Sequence, residues 1–292
     1  MKDIIVIAGP TGVGKTKLSI KLANMIDAEI INADSMQIYR DLNIGTAKIK
    51  DDEKENIPHH LFDIRDVEDM YTIYDYQKDC REKIDDIIKR GKKVILVGGS
   101  GLYIRAALYN YNLEAETFKE DYNNVSNDEL FEMVKRIDEN TMMHKNNRKR
   151  LVRFLNRANN GNNNVDGNDN CKPIYDFDMI GLTTDRERLY QIINKRVDTM
   201  LAEGLVSEVK NLYDKKIFSK AIETAIGYKE LYKYFDGSIS FTEAIEDIKR
   251  NSRRYAKRQY TFFNHQFVIK WVETNYDNFD ITVKNVYEYL MR

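Results

Sequence analysis

Residues 9 to 16 read Gly-Pro-Thr-Gly-Val-Gly-Lys-Thr and match the phosphate-binding pattern G-x-x-x-x-G-K-[ST] at each fixed position. This pattern works in one setting only, between a buried strand and the first turn of a helix. Both neighbours fit. Ile4-Ile5-Val6-Ile7-Ala8 is a short, apolar, β-branched run, as a covered parallel strand requires. Thr16 to Ile26 predicts a helix with Leu18, Leu22, Ala23 and Ile26 on one stripe. Gly9, Gly12 and Gly14 let the backbone curl so that successive N–H groups converge on one anion, and the helix N-terminus adds its partial positive charge. Lys15 can reach terminal phosphates, and the Thr16 hydroxyl can ligate Mg²⁺. Gly9, Pro10, Thr11, Gly12, Val13, Gly14, Lys15 and Thr16 are therefore the candidate cradle for a polyphosphate or pyrophosphate.

Further strands and helices alternate after this unit. Ala28 to Ala33 predicts a second strand, ending at Asp34, and Tyr74 to Arg90 a long helix stopped by Gly91. Val94 to Val97 predicts a third strand, closed by Gly98-Gly99, and Ser100 to Tyr109 a helix. This alternation predicts an α/β fold: a P-loop NTPase-like parallel sheet flanked by helices. After about Asn112 the texture changes. Helices are predicted at Asn127 to Glu139 and Asn147 to Arg157, followed by an asparagine-rich, turn-rich stretch at 159–170. Asp176 to Leu182 returns to strand character. The expected organisation is a core of residues 1–112 and 173–292, with a helical insertion domain at 113–172. Beyond it, helices are predicted at Asp185 to Ala202, Leu205 to Lys215, Phe241 to Asn264 and Thr282 to Met291, with a late strand at Phe267 to Val272.

The net charge of −1 excludes a globally basic nucleic-acid binder, so contacts to a polyanion would need cations gathered locally. Two cysteines, Cys80 and Cys171, form no C-x-x-C and no Cys/His cluster, so neither a disulfide framework nor a zinc site is indicated. The first strand begins at once, leaving no room for a signal peptide, and no apolar run approaches the roughly 18 residues that span a bilayer. A cytoplasmic protein without a membrane partner is expected.

Asp34 ends a predicted strand where ligands sit in open parallel sheets, so it should share a crevice with the glycine-rich loop. A carboxylate there can act as general base or hold a metal, and position favours that over the plain alternative of capping the following segment. Ser100 holds the equivalent place after the third strand, where a plain tight turn fits as well. Two basic clusters stand out: Arg148, Lys149, Arg150, Arg153 and Arg157, and Lys249, Arg250, Arg253, Arg254, Lys257 and Arg258. The second packs six cations into ten residues with hardly an acidic neighbour, which favours a phosphate-contacting surface over a merely solvated face.

Taken in series, GPTGVGKT (9–16), INADSMQIY (31–39), IGTAK (44–48), PHHLFD (58–63), GGSGLY (98–103), DRERL (185–189), AIGYKE (225–230) and RRYAKRQ (253–259) resemble the tRNA dimethylallyltransferase family over nearly the whole chain. The resemblance implies transfer of a dimethylallyl group from dimethylallyl diphosphate to the N6 amine of the adenine beside the anticodon, in tRNAs reading codons that start with U, with pyrophosphate released. By position it makes Asp34 the general base and gives Lys15 and Ser100 catalytic places. Thr11 to Thr16 would hold the diphosphate, with Thr16 on Mg²⁺. Asp34, Ser35, Met36, Gln37 and Ser100 would meet the target nucleotide. Arg148, Lys149 and Arg150 match a tRNA-contacting part of the insertion, and Arg253, Arg254, Lys257 and Arg258 are expected to meet the anticodon stem-loop. Ser100 stands where the family usually has Thr. IHPND is altered to Met143-His144-Lys145-Asn146-Asn147, and Thr-Trp-Phe-Arg to Thr261-Phe262-Phe263-Asn264. The end at Arg292, without a zinc-finger extension, resembles bacterial members, and a monomer is expected. The competing class is a P-loop small-molecule kinase that uses ATP.

Overall fold

β1 (Ile4–Ala8) is five consecutive buried residues. A strand with no polar side chain must be covered on both faces, which places it inside a sheet rather than at an edge. The structure, a computed structural model, describes residues 1–111, 113, 120–159 and 172–292 and puts β1 between two partners. The other strands are β2 (Ala28–Asn32), β3 (His59–His60), β4 (Lys93–Val97), β5 (Phe177–Thr183) and β6 (Lys270–Glu273). They lie in the order β3-β2-β4-β1-β5-β6, and every neighbouring pair is parallel. Ile5 of β1 faces Ile95 of β4 on one side and Asp178 of β5 on the other. The order reverses beside β1, so the loops after β1, β2 and β4 open at one edge of the sheet.

The helices are α1 (Lys15–Ile26), α2 (Ile73–Lys89), α3 (Gly101–Leu108), α4 (Asn127–Ile137), α5 (Arg148–Asn159), α6 (Arg186–Ala202), α7 (Leu205–Asp214), α8 (Lys220–Thr224), α9 (Tyr228–Phe235), α10 (Phe241–Gln266) and α11 (Phe279–Leu290). α2 and α10 open with capping boxes, Thr72 with Asp75 and Ser240 with Glu243, which fix their first turns. The core gathers β1, β2, β4 and β5 side chains with Leu18 and Leu22 of α1, Leu189 and Ile193 of α6, and Val283 and Val286 of α11.

Contacts divide the chain into Met1–Leu108 with Ile174–Arg292, and Tyr109–Pro173. The division falls at Tyr109 rather than 113 because the Ile174 N–H donates to the Leu108 carbonyl at 2.9 Å, closing the first unit on itself. The second unit has its own apolar centre of Tyr122, Leu130, Val134, Leu151, Phe154 and Leu155. Most of the asparagine-rich stretch at 159–170, and Cys171, lie outside the described residues.

Several expectations shift. α11 starts at Phe279 rather than Thr282, because the Asn278 side chain caps it there by accepting the Asp280 N–H. The late strand starts at Lys270, not Phe267, because Phe267 is the C-cap of α10 and its ring packs on Phe262 and Phe263. α10 accordingly runs past Asn264 to Gln266. β3, α8 and α9 were not foreseen; β3 is two histidines long and α8 five residues, too short to show a period. Among the described residues no helix is long and apolar enough to cross a membrane.

Candidate active site

The glycine-rich loop leaves β1 and enters α1 with Gly9, Gly12 and Gly14 at φ 136°, 87° and 89°. Side chains are strained at such angles, so glycine is required for the curl. Gly14 is the N-cap of α1, no side chain caps the helix, and its first turn carries no acid. The positive end of the helix is thus left open to an anion. The Lys15 Nζ folds back to donate to the Pro10 carbonyl at 2.7 Å. Thr274, beyond β6, braces the loop from outside by donating its hydroxyl to the Val13 carbonyl at 2.9 Å.

Asp34 sits two residues past β2, and Asn32 fixes it there. The Asn32 Oδ1 accepts the Asp34 N–H at 2.9 Å, and its Nδ2 donates to the carbonyls of Asp34 and Leu61, both at 3.0 Å. One Asp34 carboxylate oxygen accepts the Met36 N–H at 3.0 Å, an Asx turn that aims the side chain. Among the described residues the other oxygen accepts no hydrogen bond. The Ser100 Oγ accepts the Ser35 N–H at 3.0 Å and lies 3.3 Å from the Ser35 hydroxyl.

These loops wall a cavity of about 670 Å³. Thr11, Gly12, Gly14, Lys15, Thr16, Asp34, Ser35, Met36, Gln37 and Arg258 all line it, so the two candidate loops do share one crevice. Much of the remaining wall is apolar, including Ile30, Ile49, Ile192, Val197, Met200 and Ile248. Gly9, Pro10, Val13 and Ser100 stand behind the wall. Val13 is fully buried, and Ser100 holds Ser35 in place.

Two site residues escaped the sequence. Arg196 enters the cavity from the middle of α6. Its signal is helical spacing: Arg196 falls on the same face as Ile192, Ile193 and Met200, an apolar stripe interrupted by one guanidinium. Burial pulls the Lys15 pKa down to about 7; Arg196 pulls the same way and Asp34 opposes. Burial also lowers the Arg196 pKa, again opposed by Asp34. Two cations and one carboxylate therefore share this space. Gln259, from α10, is buried, accepts the Thr11 N–H at 3.2 Å and donates to the Gly99 carbonyl at 3.0 Å. It ties the glycine-rich loop to the loop after β4. Tyr255, one turn earlier, also lines the cavity, and burial holds its phenol well above the usual range, so it stays protonated.

The basic run of α10 is not one face. Lys249 pairs with Asp198 at 2.7 Å, and Arg250 with Asp247. The expectation of hardly an acidic neighbour is corrected here, because the fold brings Asp198 of α6 alongside. Arg253 donates to the Asn194 Oδ1 at 2.7 Å. Arg258 lies over the Tyr255 ring, 5.6 Å from its centroid. Arg254 and Lys257 are exposed and have no such partner among the described residues. Asn264, where an arginine was expected, accepts from the Trp271 Nε1 at 2.9 Å. In the second unit Arg148 is committed inward, donating to the Val125 carbonyl at 2.7 Å, the Tyr122 carbonyl and the Asn127 Oδ1. Lys149, Arg150 and Arg153 are exposed on α5.

A family model described as IPP transferase matches residues 37–266. The chain belongs to the IPP transferase family. The match starts at Gln37, and full-length relatives extend the likeness over the glycine-rich loop and Asp34. The tRNA dimethylallyltransferase of Anoxybacillus flavithermus is 43% identical over 99% of this chain and 96% of its own. That of Bacillus subtilis is 42% identical over 93% and 91%. The crystal structure of the full-length tRNA isopentenylpyrophosphate transferase from Bacillus halodurans superposes with a TM-score of 0.79 at 39% identity, covering 100% of this chain and 96% of that one. A eukaryotic dimethylallyltransferase caught acting on tRNA gives 0.83 at 30% identity, covering 98% and 78%. The parallel P-loop-like sheet expected from the sequence is therefore the fold of this IPP transferase family member.

Proposed function

We propose that this chain transfers the dimethylallyl group of dimethylallyl diphosphate to the N6 amine of the adenine adjacent to the anticodon, in tRNAs reading codons that start with U, releasing pyrophosphate. The observation that carries this reading is the single cavity in which a phosphate cradle, the Asp34 carboxylate and an apolar wall meet. A kinase needs the first two; an apolar wall beside them suits a hydrocarbon donor.

The allylic C–O bond breaks with its electron pair leaving on pyrophosphate, and the adenine nitrogen forms the new C–N bond. The developing charge on the leaving oxygens faces the loop N–H groups, Lys15 and Arg196. Asp34 takes the proton that the amine loses, through the oxygen not engaged by Met36. The apolar wall excludes water, which would otherwise capture the allylic cation. The adenine must leave its stack to reach this cavity.

Thr16 is the residue that would hold Mg²⁺. Among the described residues no cluster of three or more His, Cys, Asp or Glu side chains surrounds it, so the ion would take most ligands from diphosphate and water, as Mg²⁺ does. When bound, it supplies charge neutralisation at the leaving group. The tRNA anticodon stem-loop is the proposed partner, read by Ser35, Met36 and Gln37 at the cavity and by exposed cations of α5 and α10. The enzyme would work as a monomer in the cytoplasm.

Incubation with labelled dimethylallyl diphosphate or ATP, with and without unmodified tRNA, tests the reading. Label should pass to tRNA from the diphosphate alone; strict ATP dependence would move the chain to the kinases. Asp34→Ala should slow single-turnover transfer by about 10²–10⁴-fold with little change in tRNA binding. Near-normal transfer would remove Asp34 from the base role.

A further inference from the structure

The IGTAK and AIGYKE segments lie far apart in sequence, and the catalytic assignment uses neither. One carboxylate joins them. Glu208, on α7, accepts three consecutive backbone N–H groups: Asn43 at 3.1 Å, Ile44 at 2.8 Å and Gly45 at 3.1 Å. It also accepts the Tyr228 hydroxyl from the first turn of α9. Successive N–H groups converging on an anion form a nest, here filled by the protein's own side chain. The fit is tight: a Cβ on Gly45 would lie 2.4 Å from a Tyr228 ring carbon.

The nest opens a loop whose next residues reach the cavity. Gly45, Thr46 and Ala47 line it. The Thr46 carbonyl accepts two side chains from opposite parts of the site. The Gln37 Nε2 donates to it at 3.0 Å, and the Arg196 Nη2 at 3.4 Å. Lys48 pins the far end of the loop, donating to the Tyr39 carbonyl at 2.7 Å and pairing with Asp63. The carbonyl that orients both Gln37 and Arg196 is thus held between two half-buried anchors, Glu208 and Lys48.

We propose that Glu208 is a positioning residue: through the 43–47 loop it sets Gln37, on the acceptor side, and Arg196, on the diphosphate side, at once. The inference rests on the proposed reading of the cavity. It predicts that one distant carboxylate controls affinity for both substrates together.

Glu208→Gln is the test. The amide keeps the shape but replaces one acceptor oxygen by a donor, leaving at least one N–H of the nest or the Tyr228 hydroxyl unpaired. KM for tRNA and for the diphosphate should both rise about tenfold, with kcat changed less, and inorganic pyrophosphate should bind about tenfold more weakly by calorimetry. Glu29→Gln is the control for general destabilisation, because Glu29 is buried and ion-paired but does not line the cavity. It should lower Tm without moving either KM. If Glu208→Gln lowers Tm yet leaves both KM values, or moves only one of them, the proposal is overturned. If the variant does not fold, Tyr228→Phe removes one bond from the same carboxylate and should raise both KM values by a smaller factor; unchanged values there also overturn it. A wild-type protein that fails to prenylate tRNA would sink the functional reading instead, and pyrophosphate binding would still judge the link from Glu208 to Arg196.

Discussion

Lys15 and Glu29 are both displaced by their surroundings, with opposite consequences for pH. The Lys15 pKa is pulled to about 7, mainly by burial and then by Arg196. The charged amine is the form that holds a diphosphate, so affinity for pyrophosphate should fall as pH rises through about 7. Calorimetry between about pH 6 and pH 8 checks this, with Lys15→Arg as the comparison. Its guanidinium stays charged, so only the ligand's own titration should remain; an unchanged slope would refute the shift. Glu29 is held at about 2, first by the Arg90 hydrogen bond and also by His60, against the opposing cost of burial. Its folded pKa is depressed, so its stabilisation is present above the ordinary value of 4.5 and is lost as pH falls from there toward about 2. The contribution is on the order of 3 kcal/mol. Glu29→Gln should destabilise by about that amount near neutrality and show a flatter acid limb in thermal melts taken across that range. The motif made Lys15 and Asp34 legible in the sequence. Gln259 was not, since its partner Thr11 is 248 positions away and nothing local marks an amide as a clamp.

α10 shows how one helix divides a run of like charges. Lys249 and Arg250 spend their charge on Asp198 and Asp247, whereas Arg254 and Lys257 remain exposed. Neutralising Arg254 and Lys257 together should reduce the salt slope of tRNA binding by about two and raise KM for tRNA, leaving pyrophosphate affinity alone. Neutralising Lys249 and Arg250 should leave that slope unchanged. Equal slopes for the two double variants would show that the pairing does not sort these cations. On the buried side of the same helix, Gln259→Met should cost about 1–3 kcal/mol in denaturant melts, because the Thr11 N–H and the Gly99 carbonyl lose their partner. The sequence told that this helix existed and that it was basic, because both are local properties. Which cations are free depends on Asp198 of α6, a contact that only the packed chain creates. For the same reason β1, β2 and β4 were legible as apolar runs, whereas β3 exists only because Ile30 and Ile31 of β2 offer it an edge.

The first unit closes without the second. Leu108 and Ile174 meet through a backbone hydrogen bond of 2.9 Å, and β5 begins three residues later at Phe177. Replacing Tyr109–Pro173 by a short Gly/Ser linker should therefore leave a cooperative fold that still binds pyrophosphate, while tRNA affinity drops. Loss of cooperative unfolding in the truncated protein would show that the boundary is misplaced. The sequence marked this excursion by its change of texture, but only the hydrogen bond locates its ends. Within the first unit that bond closes a loop of residues 109–173, and the closure entropy of a flexible loop changes by only about 0.6 kcal/mol for each doubling of length. The last strand before that excursion, β4, and the first after it, β5, are both registered on β1, so the chain leaves and rejoins the sheet within one hydrogen-bonded frame.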